Sequence, residues 1–376
     1  MTLRQNAKLN LVGLTRGQLA EALISVGVSN AKLKMRIDQI WKWVYVKGIR
    51  DFQEMTNLSK DFRQTLNENF ILDVPKLVFR RVSSDGTRKY LFRVEGNHEF
   101  ETVYIPEEDR GTLCISSQVG CTLNCTFCHT GTQAWVRNLS ATEIVGQLMS
   151  VRDDLGEWPG SGVQTNLEQR LISNVVLMGM GEPLYNFDNV RDAMKIVMDG
   201  DGISLSRRRI TLSTAGVVPG IERAGEEIGC RLAISFHATT DEVRDKIIPI
   251  NRKWNIATLL EALRNYRRVT NSDRITFEYV MLKDLNDSDE DAYRLVSLIK
   301  NIPAKVNLIP FNSWPGSQFE RSTPDRIASF ANIIYKAGYP SPVRKPRGED
   351  IMAACGQLKS ASERVRRQSQ TNPIQS

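Results

Sequence analysis

Three cysteines in the run Cys-Thr-Leu-Asn-Cys-Thr-Phe-Cys constrain this chain more than any other sequence feature. They are Cys121, Cys125 and Cys128, spaced as CxxxCxxC. Three thiolates at this spacing can hold three irons of a four-iron cluster and leave the fourth iron open. A cluster ligated by four cysteines usually only carries electrons, whereas an open iron binds another molecule and acts on it. The missing fourth ligand therefore predicts a cluster that does chemistry.

Two other uses of these cysteines fit the sequence less well. A structural zinc site usually needs four ligands in two pairs, and His129 follows Cys128 too directly to share a metal with it easily. A disulfide framework is disfavoured because six cysteines in 376 residues fall far below the density of small secreted scaffolds. Zinc stays open as the alternative.

The composition is that of an ordinary globular chain, with 41% hydrophobic and 25% charged residues. This length is sufficient for one large core and a smaller appended domain. The net charge of +7 moderately favours a polyanionic partner. No apolar signal region occurs in the first eighteen residues, and no apolar run reaches membrane-spanning length. We therefore expect a cytoplasmic protein with reduced thiols.

The segment from Thr15 to about Leu72 has a helical pattern, with Thr15 and Ser59 as candidate N-caps. One apolar stripe at helical spacing comprises Leu33, Ile37, Ile40, Trp41 and Val44. The other faces carry several lysines and arginines. Such faces are usually only solvated, although they can also follow a phosphate backbone.

After Pro75 the pattern changes to short strands, from Leu77 to Ile105, around the turn Ser84-Asp85-Gly86. From Ser140 onward, helical patterns alternate with strand-like runs. These runs are Leu171–Met178, Arg209–Leu212, Arg231–Phe236, Ile275–Leu282 and Val306–Ile309. Such alternation predicts parallel strands joined by crossover helices. With a strand near Cys114, six repeats are present, fewer than the eight of a full TIM barrel.

The predicted fold is thus a partial, TIM-like (β/α)6 barrel in the α/β class, with a helical accessory domain and a small β linker. We place the helical domain at 1–74, the β linker at 75–106, the barrel at 107–345 and a C-terminal segment at 346–376. A late strand is predicted at Val343–Lys345, and the tail after Leu358, rich in Gln, Ser and Arg, is predicted to be disordered.

The cysteine run, with Phe127 directly before the third cysteine, resembles the radical S-adenosylmethionine (SAM) superfamily. Other segments narrow the resemblance to the RlmN dual-specificity RNA methyltransferases, and together they extend over essentially the whole chain. These segments are Glu101–Pro106, Leu113–Cys121, Gly179–Pro183, Ser235–His237, Asn307–Asn312 and Arg347–Cys355.

This resemblance implies methylation of C2 of adenosine, in the peptidyl-transferase centre of 23S rRNA and in certain tRNAs just 3′ of the anticodon. It implies one [4Fe-4S] cluster held by Cys121, Cys125 and Cys128, two SAM molecules per turnover, an electron donor such as flavodoxin, and a monomer. The related Cfr-type enzymes methylate C8 of the same rRNA adenosine, and the helical N-terminal domain favours RlmN over them. Alternatives from other classes are an electron-carrying iron-sulfur protein with an RNA-binding module and a zinc-containing RNA chaperone.

The resemblance also implies a role for three residues outside the cluster motif. Cys355 takes a methyl group from one SAM and becomes a methylcysteine. A 5′-deoxyadenosyl radical made from a second SAM then removes a hydrogen atom from this methyl group, and the resulting methylene radical adds to adenine. Cys114 attacks the sulfur of Cys355 to release the product, which leaves a disulfide. Glu101 is the implied proton acceptor, and we expect burial next to a strand to raise its pKa.

Without the resemblance, the cysteines outside the motif are less informative. Cys114, in a strand-like Leu-Cys-Ile, is typical of a small buried hydrophobic residue. Cys355 follows Arg344, Lys345 and Arg347, whose positive charge can lower a thiol pKa. Cys230 matches no motif and is expected to be structural.

The implied SAM contacts follow predicted strands, where the sites of such barrels assemble. They are Gly181, Glu182, Ser213, Ser235, Phe236, His237 and Asn312. Glycines let the backbone approach a ligand, and Glu182 can accept a hydrogen bond from the methionine ammonium. On its own, a Gly-rich strand end is a weak signal, and an isolated histidine is more often a core residue.

Sequence-specific RNA recognition usually needs an unstacked base together with basic residues that hold the backbone. The candidates for backbone contact are Arg80, Arg81, Arg207–Arg209 and Arg344–Arg347. We assign no residue to base reading. The spacing makes Trp41 a core residue and leaves Trp43 as the weaker stacking candidate.

Overall fold

The computed structural model describes residues 8–108, 110–159, 170–266 and 273–360. The strands are β1 Leu9–Asn10, β2 Phe70–Ile71, β3 Lys76–Val82, β4 Arg88–Val94, β5 His98–Pro106, β6 Gly111–Cys114, β7 Gln118–Val119, β8 Arg137–Asn138, β9 Asn174–Leu177, β10 Ile210–Thr214, β11 Arg231–Ser235, β12 Ile275–Met281 and β13 Ala304–Pro310. The helices are α1 Arg16–Ser25, α2 Asn30–Trp41, α3 Lys60–Asn69, α4 Ala141–Leu155, α5 Phe187–Met198, α6 Val218–Arg223, α7 Asp241–Ile247, α8 Ile256–Asn265, α9 Asp289–Leu298 and α10 Pro324–Lys336. The tail predicted to be disordered lies, from residue 361 onward, outside the described residues.

The N-terminal helices form where the apolar stripe predicted them. Thr15 begins α1 with a capping box, whereas Ser59 precedes α3 without a side-chain cap hydrogen bond. Ile37, Ile40 and Trp41 on α2 are buried. The short strands β1 and β2 pair in parallel and bring the two ends of this unit together.

The helical unit lies against the barrel rather than apart from it. The guanidinium of Arg16 contacts the Asp199 carboxylate at 2.7 Å and stacks over the ring of Trp41. Thr142 Oγ1 at the start of α4 donates to the carbonyl of Val12 at 2.6 Å. These contacts fix the position of the helices relative to the barrel.

Nine strands of the described residues form one sheet, in the order β13-β12-β11-β10-β9-β6-β5-β4-β3. From β6 through β13 all neighbours in this sheet pair in parallel, with helices in the connections, which confirms the predicted partial barrel of six strands. The antiparallel strands β3, β4 and β5 extend the same sheet, because Val103 on β5 pairs with Cys114 on β6. The predicted β segment is therefore continuous with the barrel wall.

Along the last barrel strand, buried apolar side chains alternate with partly exposed ones. On β13 the buried side chains of Ala304, Val306 and Leu308 alternate with the half-buried Lys305 and Asn307. The late strand predicted at Val343–Lys345 is reduced to a single parallel bridge between Leu308 and Val343. Prolines at positions 342 and 346 lack the N–H groups that a longer ladder requires.

In the described part of the chain, no helix is both long and apolar enough to cross a bilayer.

Candidate active site

The three motif cysteines line one cavity at the carboxyl ends of the barrel strands. They lie on the loop that follows β6. This loop is folded back on itself, because the amide of Cys128 donates to the Cys125 carbonyl at 3.2 Å and the amide of Gly131 donates to the Cys128 carbonyl at 3.0 Å. The loop thus presents three thiols to the cavity, as the spacing predicted.

The residues of this cavity fit an iron-sulfur cluster and SAM. All three cysteines are free thiols, and Cys125 interacts electrostatically with both Cys121 and Cys128. Among the described residues, no three His, Cys, Asp or Glu side chains converge on one metal ion. The three thiolates of a cluster bind different irons and need not converge on one ion. Glu278 on the cavity wall has one buried oxygen without a hydrogen-bond partner, as a site built for a polar ligand requires.

The loop after β9 brings Gly181 and Glu182 to the cavity. Gly181 has a φ of +100°, and a Cβ there would lie 2.5 Å from the Cβ of Gln118. The carboxylate of Glu182 accepts the amides of Leu184 at 3.0 Å and Ala215 at 2.9 Å. Burial raises the pKa of Glu182 to about 7, and these amides oppose the rise. The backbone amides thus hold an acceptor at the position predicted to bind the SAM ammonium.

Four further predicted SAM contacts also line the cavity: Ser213 on β10, Ser235 at the end of β11, His237 and Asn312. His237 Nδ1 accepts the amide of Val280 at 2.9 Å, so the ring proton is on Nε2. Burial lowers the pKa of His237 to about 3, which keeps the ring neutral. Phe236 differs, because its buried ring packs edge-on against Phe277 in the core. The Phe236 ring is therefore turned away from the cavity, and Phe236 is not among the residues that line it.

Sequence reasoning missed Arg244 on α7, a fully buried arginine beneath the site. Its guanidinium donates to the carbonyls of Ser235, Phe236 and Ala215 at 2.7 to 3.1 Å. It therefore joins the ends of β10 and β11 and fixes the loops that carry the predicted SAM contacts. Charged side chains are rarely buried without partners. The backbone carbonyls that Arg244 binds lie on other segments of the chain. No local signal in the sequence reveals them.

Cys355 lies at the same cavity as the cluster cysteines. Its backbone carbonyl accepts a hydrogen bond from Asn312 Nδ2 at 3.1 Å, so Asn312 holds the segment that carries Cys355. Cys114, at the end of β6, is half-buried. Burial raises the pKa of Cys114 to about 12, with Cys355 adding to the rise and Arg344 opposing it. Cys114, the predicted resolving thiol, thus interacts electrostatically with Cys355 and Arg344, although it is not among the residues that line the cavity.

The segment from Met352 to Ser360 packs along the loop that carries the three motif cysteines. We call it the methyl-carrier segment after the predicted role of Cys355. The amide of His129 donates to the Gly356 carbonyl at 2.7 Å, and Thr130 Oγ1 donates to the Leu358 carbonyl at 2.5 Å. The His129 ring stacks on Trp314 with centroids 4.8 Å apart. His129 thus supports the methyl-carrier segment in this structure.

Glu101, the predicted proton acceptor, is buried on β5 but is not among the residues that line the cavity. Its Oε1 lies 3.0 Å from Lys89 Nζ, and its Oε2 accepts the amide of Lys359 at 3.0 Å. Burial raises the pKa of Glu101, while Lys89 and the Lys359 amide oppose the rise. The pKa of Glu101 is thus shifted upward, as expected. One oxygen of its carboxylate is already hydrogen-bonded to the methyl-carrier segment.

The arginines predicted to contact RNA have different surroundings. Arg207–Arg209 and Arg81 are exposed, whereas Arg80 pairs with Asp154 and Arg347 lies near Asp85. Arg344 lines the cavity instead of the outer surface. The predicted stacking residue Trp43 donates to Asn57, and Lys47 covers its ring at 3.7 Å from the centroid.

Two family models match the chain. The model described as the ribosomal RNA large subunit methyltransferase N-terminal domain matches residues 9–72, and that of the radical SAM superfamily matches residues 162–296.

Similar proteins match almost the whole chain. The dual-specificity RNA methyltransferase RlmN of Dinoroseobacter shibae is 69% identical over 97% of this chain and 93% of that protein. The RlmN of Paracoccus denitrificans is 70% identical over the same shares. The crystal structure of a radical SAM methyltransferase from Sphaerobacter thermophilus superimposes with a TM-score of 0.84 at 38% identity, over 93% of this chain and 99% of that one.

Proposed function

The chain belongs to the RlmN family of dual-specificity RNA methyltransferases within the radical SAM superfamily, and from this membership we propose how its residues methylate adenosine at C2 in 23S rRNA and tRNA. The single observation that supports this proposal most strongly is the meeting of Cys355 with the three motif cysteines in one cavity. An electron carrier has no need of a fourth, unligated thiol at its cluster. A methyl-carrying enzyme does, because the methyl group must reach the radical on the protein.

When bound by Cys121, Cys125 and Cys128, the cluster supplies one electron to a SAM at its open iron, and cleavage of that SAM gives a 5′-deoxyadenosyl radical. The residues of the chain have the task of positioning. Glu182 accepts from the methionine ammonium, and Ser213, Ser235, His237 and Gly181 enclose the remaining polar groups. Asn312 contributes by holding Cys355 at the same cavity.

Cys355 receives the methyl group first. Its sulfur attacks the methyl carbon of SAM, so that the new S–C bond forms as the sulfonium–carbon bond breaks and S-adenosylhomocysteine leaves. The attacking group is a thiolate, and Arg344 lies close enough to stabilise it. Cys355 is also the exposed member of the cysteine set, which leaves its sulfur accessible to SAM.

Cys114 releases the product once the carbon bridges Cys355 and adenine. The Cys114 sulfur attacks the Cys355 sulfur, an S–S bond forms, and the S–C bond breaks with its electron pair left on carbon. Protonation of this carbon gives the methyl group, and an external dithiol reduces the disulfide. The proximity of the two cysteines, expressed in their electrostatic coupling, supports this assignment.

Glu101 accepts the proton that leaves C2, and the unpaired electron of the adduct would return to the oxidised cluster, so that adenine regains its aromatic ring. Burial raises its pKa, which makes the carboxylate a stronger base than that of an exposed glutamate. Because Lys359 of the methyl-carrier segment occupies one carboxylate oxygen, this step requires the segment to shift when RNA is bound. Lys89 keeps the carboxylate ionised until then.

For RNA, we propose that the exposed Arg81 and Arg207–Arg209 contact phosphates, which is consistent with the net charge of +7. We further propose a monomer that acts in the cytoplasm, where both RNA classes and reducing thiols occur, with a low-potential one-electron donor such as flavodoxin.

The decisive experiment reconstitutes the cluster without oxygen and supplies SAM, a reductant, and tRNA or 23S rRNA fragments. We expect 5′-deoxyadenosine, a methyl group on Cys355 and 2-methyladenosine in the RNA. Absence of both 5′-deoxyadenosine and methylated Cys355 would eliminate the enzyme, and 8-methyladenosine in place of 2-methyladenosine would indicate the Cfr-type reaction.

A further inference from the structure

Glu278 presents an unused acceptor to the cavity beside Cys355. It projects from the middle of β12, is only 4% exposed, and lines the same cavity as Cys355. Asn307 Nδ2 donates to its Oε1 at 3.0 Å. Its Oε2 is buried without a hydrogen-bond partner among the described residues. Because an unpartnered buried oxygen is costly, a donor from a ligand would stabilise this arrangement.

Arg344 supplies a donor next to this acceptor. It lines the same cavity, and its nearest electrostatic neighbours include Cys355 and Glu278. A guanidinium carries only N–H donors. Arg344 is therefore close to both the acceptor of Glu278 and the sulfur of Cys355, and we take the order of the three groups along the wall as Glu278, Arg344, Cys355.

The Watson–Crick edge of adenine carries the complementary groups in the same order. Its N6 amino group donates, N1 accepts, and C2 follows N1. We propose that Glu278 and Arg344 bind this edge of the target adenine, with Glu278 Oε2 accepting from N6 and an Arg344 N–H donating to N1. C2 then faces Cys355. The assignment rests on the proposed function, to which it adds the site that reads the base.

The same two residues reject guanine. Its O6 would face the acceptor of Glu278 and its N1–H would face the donor of Arg344, while its 2-amino group occupies C2. The Arg344 hydrogen bond also withdraws electron density from the adenine ring at N1. This favours attack at C2 by an electron-rich carbon radical.

Glu278 lies between the predicted SAM contacts on one side and Arg344 on the other. Ser235 on β11 pairs with Glu278 in the strand register, on the side of the predicted SAM contacts. Asn307 and Lys305 flank it from β13, and Arg344 lies beyond them. SAM itself is the competing ligand for Glu278, so the experiment must distinguish binding of SAM from binding of the target adenine.

The test compares tRNA containing adenosine at the target position with tRNA containing purine riboside there, which lacks only the N6 amino group. The kcat/KM for RNA methylation is measured with wild-type enzyme and with E278Q. We expect wild type to favour adenosine by about 10- to 100-fold, the effect of one hydrogen bond to a charged group. In E278Q the glutamine amide group faces N6, so the preference for adenosine should disappear or reverse. Comparing the two enzymes cancels the different intrinsic reactivity of the two bases.

The matched control is E242Q, which changes an exposed carboxylate on α7 and should keep the wild-type preference. Methylation of Cys355, which needs no RNA, is followed in the same samples. If it falls in E278Q as far as RNA methylation does, Glu278 binds SAM and the proposal is overturned. Equal rates of wild type on both RNAs overturn it without any variant. Failure of wild type to methylate adenosine at all would instead refute the proposed function itself.

Discussion

Lys89 Nζ and Glu101 Oε1 lie 3.0 Å apart in the barrel wall, and both side chains are buried. Truncating one member of such a pair leaves an unpaired charge in a low-dielectric site. We predict that K89M lowers the free energy of unfolding by about 3–5 kcal/mol at neutral pH. Urea denaturation measures this. The exposed pair Lys246–Glu242 provides the control, since K246M should change stability little.

The loss of folding stability in K89M should increase with pH. Burial holds the pKa of Glu101 above its unfolded value, so its contribution to stability is fully present below the unfolded pKa and is lost as the pH rises through the folded pKa. Removing Lys89 takes away an opposing charge and raises the folded pKa further. The loss in K89M should therefore be larger at pH 7 than at pH 5. An equal loss at both values would show that the charge of Glu101 is not its cause.

E101Q should slow RNA methylation by about 100- to 10,000-fold, because the proton on C2 loses its acceptor. In the wild-type enzyme the rate of product release should rise with pH through the raised pKa of Glu101. Single-turnover experiments with enzyme already methylated on Cys355 isolate this step. If E101Q had a pH profile of the same shape as wild type, Glu101 would not be the proton acceptor.

C114A should trap RNA on the protein. Without the Cys114 sulfur the bond between Cys355 and the adenine carbon cannot be broken by thiol exchange. A covalent protein–RNA band on a denaturing gel is the expected result. C230A is the matched control, because Cys230 is fully buried away from the cavity, and it should release methylated RNA normally. Free methylated RNA from C114A at the wild-type rate would refute the resolving role.

G181A should weaken SAM binding by about 10- to 100-fold, because both the positive φ and the short distance to Gln118 force the loop to move. Equilibrium dialysis of the reconstituted protein measures the dissociation constant. G17A in α1 is the control, since a Cβ there meets nothing within 4 Å. Similar affinities for the two variants would contradict the assignment of this loop.

The alternation of strands and helices was sufficient to predict the six barrel strands, because each strand shows its own apolar run. The N-terminal core was predictable for the same reason, and Trp41 is buried as its spacing indicated. The prediction of a late strand at Val343–Lys345 was wrong in its extent, since only one bridge forms there. The prolines on both sides limit the pairing, and the apolar residue Val343 alone does not show this.

The polar residues of the site were only partly predictable. The cysteine spacing was sufficient to predict that the three thiols face one cavity, because a local motif sets their separation. Arg244, Glu278 and the inward position of Arg344 were not predictable, since each depends on partners that only the folded barrel brings near. Arg344 illustrates this, because its sequence neighbours suggested a surface contact with RNA.

The most direct test of the central claim, that the methyl group passes through Cys355 as a radical, uses SAM carrying a trideuteromethyl group. The account predicts that one deuterium moves to 5′-deoxyadenosine and that the methyl group of 2-methyladenosine retains at most two. Mass spectrometry of both products from the same reaction reads this out. A product that retains all three deuterium atoms, with unlabelled 5′-deoxyadenosine, would show direct transfer from SAM and contradict the account.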